Sequence, residues 1–350
     1  MSDPLNVVTG ANGQLGSHIV ELLRQTGQRV RAVVRPGSDA SFVRRLGAEV
    51  VCADLTRPIT DAFAAADVVY HAAARVSDWG PWETFRDEAI AVTTNVVDAC
   101  RAAGVGRLLH VSSISVYGHP KLGPGQRIDE ATPLGQNLWM WDWYPRAKLL
   151  AEEIAWKFPN VTVVRPSWIY GPRDRVTIPR VIPALLEKRV PFIGRGDNLL
   201  NIIYAGDVAR GCILAARNPA AVRQAYNLCS EGEVTQRDLI DTLTDALGVA
   251  RVARHVPYAA AIRFAWFREA LARMLRSPKP PAITRRAIYL IGRPTLYAIG
   301  KARTELGWSP EVKIADGIAR ALRWYQEVTG MKFGPVTVKT GEARDHSEGA

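Results

Sequence analysis

A glycine-rich stretch near the N-terminus constrains this chain more than anything that follows it. Thr9-Gly10-Ala11-Asn12-Gly13-Gln14-Leu15-Gly16 comes directly after the apolar run Leu5–Thr9 and opens a segment that reads as a helix from about Gly13 to Thr26. A strand, a glycine turn and a helix in that order aim free backbone N–H groups and the positive end of a helix dipole at whatever lies over the turn. A pyrophosphate suits such a place. The spacing is G-x-x-G-x-x-G, and the strand–turn–helix context is what separates it from a chance run of glycines.

The alternation begun there continues for about 170 residues. Val30–Val34, Glu49–Cys52, Val68–His71, Leu108–Ser112 and Val161–Arg165 read as strands, with helices at Val92–Ala103 and Pro145–Phe158. Short apolar runs alternating with helices predict a parallel sheet covered on both faces. The expected fold class is therefore α/β: a Rossmann-type doubly wound parallel sheet over residues 1–170. From Gly171 onward, prolines at 172, 179, 183 and 191 break the pattern. Asn201–Val208 and Ala225–Leu228 are expected to return to the core as strands. Helices Gln236–Leu247 and Ala315–Thr329 should close a smaller, interleaved C-terminal α+β substrate region over 171–335. The tail from 336 to 350 is polar and patternless, which predicts disorder.

Composition narrows the class. Hydrophobic residues make up 47% and charged residues 23% of 350, ordinary values that exclude wholesale disorder. Four widely spaced cysteines form no C-x-x-C pair and fit a reducing cytoplasm; the six histidines show no H-x-x-x-H, so no metal is expected. No apolar run approaches the roughly 20 residues of a membrane span, and the N-terminus has no signal-peptide pattern. The net charge of +11 comes from arginines spread from Arg24 to Arg344, which reads as a generally basic surface rather than a nucleic-acid stripe. Anionic small molecules and acidic membrane surfaces stay open as partners.

Tyr144-Pro145-Arg146-Ala147-Lys148 places a tyrosine and a lysine four apart at the start of a helix, on one face. An ammonium beside a phenol favours the phenolate, a pairing suited to general acid–base work. Taken with the glycine loop, Ser112-Ser113-Ile114-Ser115-Val116-Tyr117-Gly118, Asp54-Leu55, His71-Ala72-Ala73-Ala74 and Arg165-Pro166 followed by Ile169-Tyr170-Gly171-Pro172, the chain resembles the extended short-chain dehydrogenase/reductase superfamily from about Leu5 to Tyr325.

The resemblance implies that Tyr144 exchanges the proton, Lys148 tunes it and holds the nicotinamide ribose, and Ser113 polarises the substrate oxygen. It further implies that Gly10, Asn12, Gly13, Gln14, Leu15 and Gly16 cradle the cofactor and that Asp54 and Leu55 meet the adenine. Ala72 and Ala73 would line the cleft, with Pro166 and Ile169 beside the nicotinamide. One departure stands out. The family helix N-V-x-G-T-x-N keeps its second asparagine as Asn95, but the first is Ala89. Similar enzymes are often homodimers through paired helices of the cofactor domain.

The tip of the second strand, Val34-Arg35-Pro36-Gly37-Ser38, carries an arginine and no acid, which favours NADP(H) over NAD(H). Where sugar-nucleotide enzymes place a diphosphate-gripping arginine, this chain has Leu200. The segments Ala74–Trp82, Tyr144–Lys148 and Pro280–Arg285 resemble the 3β-hydroxysteroid dehydrogenase-like and ketoreductase branch. Trp139, Trp141 and Trp143 can wall an apolar pocket. The resulting expectation is ketone/secondary-alcohol oxidoreduction on a small, largely apolar substrate. A nucleotide-sugar epimerase or dehydratase and a non-catalytic dinucleotide sensor are the alternatives. Between 256 and 276, Phe264, Phe267, Leu271, Met274 and Leu275 fall on one helical stripe. That stripe reads either as packing over the substrate cleft or as a membrane-surface helix.

Overall fold

Successive residues of the first strand part company: Val7 enters one apolar layer and Val8 the other, as the two-residue period of a strand requires. Leu108 and Leu109 divide in the same way, as do Val163 and Val164. A sheet buried on both faces needs apolar residues at every position, so its strands read as unbroken hydrophobic runs. The computed structural model describes residues 3–331 apart from Pro124 and Glu233. The expected tail at 336–350 lies outside the described residues.

Seven parallel strands form the sheet. Across it run Ala225–Leu228, Val161–Pro166, Arg107–Val111, Val68–His71, Leu5–Thr9, Arg29–Val34 and Glu49–Cys52. The expected strands match these to within a residue at either end. The chain runs outward from Leu5–Thr9 in one direction, then returns to its other side at Val68–His71, with Val8 in register with both Ala32 and Tyr70. That reversal opens a crevice at the carboxyl ends of the two strands, where α/β sheets bind ligands. Helices Gln14–Gln25 and Ala205–Arg217 cover one face through Ile19, Leu23, Val208 and Cys212. Val92–Ala102 and Trp143–Ala155 cover the other through Val96, Cys100 and Ala155.

The segment expected as one strand over Asn201–Val208 behaves differently. Only Ile202–Tyr204 is extended, and it pairs with Trp168–Tyr170 outside the main sheet. The chain then enters the helix Ala205–Arg217, with Asp207 in its first turn offsetting the positive helix end. A third apolar cluster lies beyond, where Ile182, Phe192, Leu200, Leu243 and Leu322 meet. It includes the helices Gln236–Leu247 and Ile314–Thr329.

At the centre of the sheet, His71 and His110 sit in register on adjacent strands, their rings 5.3 Å apart. Burial pushes His71 down to about 3 and His110 well below the usual imidazole value, with the charge of Lys148 adding to both. In the unfolded chain both protonate near 6.5. Between pH 6.5 and 3 the unfolded state therefore binds more protons, and stability falls as pH drops. The cost is about 1.4 kcal/mol per pH unit for each histidine. Thermal melts are expected to lose Tm steeply from pH 6.5 to 5. His110→Leu should flatten that slope, since neither of its ring nitrogens has a hydrogen-bond partner among the described residues.

Candidate active site

The loop after the first strand is shaped by what a side chain would strike. Gly10 has φ +65°, and a Cβ there would lie 2.7 Å from the Cα of Ala73. Gly16 packs its α-carbon against the Gly10 carbonyl, where any Cβ would collide. The turn closes with the Gly13 N–H donating to the Gly10 carbonyl at 2.9 Å. The helix Gln14–Gln25 then begins with no side-chain cap and no acid in its first turn. Its leading N–H donors are left to an external acceptor, and the glycine cradle in front of them fits a dinucleotide pyrophosphate.

That cradle borders a cleft of about 300 Å³. Of the cofactor residues expected from sequence, Gly10, Asn12, Gly13, Arg35, Asp54, Leu55, Ala72 and Ala73 line it. Gln14, Leu15, Gly16, Lys148, Pro166 and Ile169 stand outside its wall. Leu15 is buried in the core with Ile169 packed against the same cluster. The Gln14 amide instead reaches the Gly171 carbonyl at 3.5 Å.

Each wall has its own support. Arg35 opens a tight turn in which Ser38 N–H donates to its carbonyl at 3.1 Å and Gly37 takes φ +76°, with proline and glycine at the positions a type II turn favours. Asp54 is held below the usual carboxylate range, first by the Thr56 backbone N–H and its hydroxyl, then by Arg57 and Arg35. The surviving asparagine, Asn95, donates to the Leu55 carbonyl at 2.9 Å.

His71 serves as a strut. Thr93 donates its hydroxyl to Ala89 O at 2.7 Å and so accepts from His71 Nε2 at 3.2 Å. His71 Nδ1 then accepts from Thr9 Oγ1 at 2.8 Å, and Thr9 Oγ1 takes the Ala73 N–H at 3.3 Å. This chain of donors requires a neutral imidazole.

Two cleft residues were not legible as such. Glu88 and Arg75 form an ion pair at 3.2 Å in the wall. Glu88 is aimed there by a π-helical turn, Arg86–Ala91, which joins Trp82–Phe85 to the helix Val92–Ala102, expected as Val92–Ala103. A widened turn shifts the face on which a side chain emerges, and hydrophobic periodicity does not register it.

The helix Trp143–Ala155, which carries Tyr144 and Lys148 one turn apart, packs on the 3₁₀ turn Ile114–Tyr117. Ser113 caps that turn, its Oγ accepting from Ser115 N–H at 3.2 Å. Lys148 is buried, and its Nζ donates to the Val111 carbonyl at 2.9 Å. Desolvation pushes its amine down to about 8, against the upward pull of Glu152. Glu152, one turn further along the same face, is fully buried. It accepts from Ser112 Oγ at 2.5 Å and pairs with Arg165, also at 2.5 Å.

Tyr144 is half-buried, with the Arg286 guanidinium 4.7 Å from its ring. It borders a narrow crevice of about 10 Å³, roughly one water, with Trp139, Trp141 and Trp143 in its wall. Trp139 stacks on His119 at 3.9 Å, and Trp143 lies 5.5 Å from Trp82. Arg273 lies over Trp79 and Trp141, while Arg285 is engaged by Glu269 at 2.7 Å. The three segments matched to the ketoreductase branch converge here. Trp79 Nε1 donates to Ser277 O at 3.1 Å, and Thr284 donates to Asp78.

Residues 6–229 match the NAD dependent epimerase/dehydratase family. The chain is 30% identical to the 2-alkyl-3-oxoalkanoate reductase of Stenotrophomonas maltophilia (strain K279a), over 90% of this chain and 97% of that one. It is 32% identical to the 4-hydroxy-2-methyl-3-oxo-4-farnesyl-3,4-dihydroquinoline-1-oxide ketoreductase of Stigmatella aurantiaca, over 89% and 93%. Among solved structures, that of gox2253 superposes with a TM-score of 0.77 at 27% identity, covering 95% of this chain and 100% of the other.

Because Glu152 is what holds the Lys148 ammonium up, Glu152→Gln is expected to move the lysine titration below about 8. NMR of the lysine Cε protons across pH reads this directly, and an unmoved titration would remove Glu152 from that role.

Proposed function

Because the chain belongs to the NAD dependent epimerase/dehydratase family, we propose that it is an NAD(P)-dependent oxidoreductase interconverting a ketone and a secondary alcohol on a largely apolar substrate. One observation carries the reading: Tyr144 opens onto an aromatic crevice from the same helix face as the desolvated Lys148. Gly10, Gly13 and the helix end behind them would hold the pyrophosphate, Asp54 and Leu55 the adenosine, and Lys148 the nicotinamide ribose. Bound there, the dinucleotide supplies or accepts the hydride.

The remaining work falls to side chains. In the reducing direction Tyr144 gives its phenolic proton to the substrate oxygen, and in the oxidising direction it takes that proton back. Lys148, charged below about 8, favours the phenolate left behind. Ser113 Oγ already accepts from Ser115 N–H, which leaves its own proton to a substrate carbonyl.

Several features support an apolar ketone over a sugar nucleotide. Leu200, where sugar enzymes carry the diphosphate-gripping arginine, is buried in the third apolar cluster. Three tryptophans wall the crevice. Arg273 and Arg286 border it with no carboxylate ion pair among the described residues. Rings beside guanidiniums suit an oxoacid that carries an alkyl chain, in keeping with the oxoalkanoate named for one relative, and the one-water crevice would have to widen to admit it. In the glycine-loop cleft, the exposed Arg35 favours a 2′-phosphate and hence NADP(H), with NAD(H) the alternative.

The test is turnover with NADPH and NADH across 3-oxoalkanoates, ketosteroids, flavonoid-type ketones and nucleotide sugars. Activity on apolar ketones is expected. Tyr144→Phe should lower it by about 100-fold or more while dinucleotide affinity stays within a few-fold. Turnover of a UDP- or dTDP-sugar alone would replace this reading with the epimerase one, and dinucleotide binding with no turnover on any class would favour a sensor.

Arg35→Asp is expected to weaken NADPH about tenfold or more and NADH far less. Titrations showing equal loss for both would sink the NADP(H) preference.

A further inference from the structure

The helix Tyr258–Met274 packs through Ala261 and Ala265 against Ile193 and Ile288, with Tyr258 and Ile262 beside them, and Glu269 reaches Arg285. Its large apolar residues from Phe264 onward point the other way. Phe264 is 58% exposed, Phe267 57%, Met274 73% and Leu275 68%. The expectation that this stripe packs over the substrate cleft is therefore overturned: with alanines on the inner face, the backbone sits too close to its support for the phenyl rings to fit beneath. At 100° per residue Phe264, Phe267, Leu271, Met274 and Leu275 form one arc opposite the buried face, with Arg263 and Arg268 at its two edges.

Charge is not spread evenly around this face. Between Ala246 and Thr304 the chain has twelve lysines and arginines and a single acid, Glu269, an excess equal to that of the whole protein. The reading of a generally basic surface is corrected accordingly. Arg251 and Arg303, near the ends, are paired with Asp245 and Glu231. Arg263, Arg268, Arg276 and Lys279 are exposed and have no ion pair among the described residues.

We infer that this helix lies flat on an anionic phospholipid surface, with its phenylalanines, leucines and methionine among the acyl chains and its arginines at the headgroups. Charge complementarity selects this occupant. A two-fold interface with a second copy would set an all-cationic rim against itself. The described residues include no helix long and apolar enough to cross a membrane, so the contact is peripheral. Glu269 and Arg273, on the inner side of the same helix, line the crevice beside Tyr144. Docking would therefore bring the crevice mouth to the lipid, although the contact itself does not depend on the oxidoreductase reading.

The full chain is to be sedimented with vesicles of phosphatidylcholine alone and of equal parts phosphatidylcholine and phosphatidylglycerol. Binding is expected to the anionic vesicles at low salt, with release as salt rises. The double variant Phe264→Ser/Phe267→Ser, at exposed positions and checked for an unchanged melting curve, should bind about tenfold less or weaker still. Three results would each overturn the proposal: no binding at low salt, equal binding by the double variant, or light scattering that shows a wild-type dimer made monomeric by those substitutions.

Discussion

The carboxylate of Glu152 links the parts of this molecule that must stay in fixed relation. It projects from the helix that carries Tyr144 and Lys148, grips Arg165 on a neighbouring strand and takes the hydroxyl of Ser112 at the end of another. Arg165 passes the contact to the Tyr117 hydroxyl at 2.8 Å, and Tyr117 passes it to Asn227 on the edge strand, also at 2.8 Å. A buried pair of this kind adds little over an apolar filling, but deleting one partner costs about 3–5 kcal/mol because a charge is stranded. Helix, strands and catalytic turn are thereby held together, and the same carboxylate supplies the field that keeps Lys148 an ammonium.

Much of this was legible in the residues. Strands buried on both faces show as unbroken apolar runs, so Val68–His71 and Ala225–Leu228 can be placed to the residue. The glycine loop is equally plain, since Gly10 and Gly16 answer to backbone contacts that tolerate nothing larger. Other features depend on partners far away in sequence. Nothing local tells Ile202–Tyr204 to leave the main sheet for Trp168–Tyr170. The π turn that brings Glu88 into the cleft leaves no periodic trace. The stripe around Phe264 is real as a pattern, but which face is covered was decided by Ala261 and Ala265 meeting Ile288.

The site has two differently built halves. The cleft is bounded by backbone, small side chains and a few exposed charges, the materials for holding a long polar ligand along its length. The crevice at Tyr144 is lined by tryptophan rings and guanidiniums and is far narrower. In the second half, aromatic planes and arginines offer apolar contact and positive charge together, without alternation in sequence to announce either.

The segment from Ala74 to Trp82 belongs to both halves. Ala74 and Arg75 face the cleft, with Arg75 tied to Glu88, while Asp78 faces the crevice and Trp79 is tied to Ser277. A ligand that displaces Arg75 from Glu88 therefore acts on the same short stretch of backbone that anchors the crevice wall. Any coupling that runs through that stretch between a ligand in the cleft and one in the crevice is reciprocal, equal in free energy in both directions whichever arrives first. It would be carried by a span of nine residues, Ala74 to Trp82.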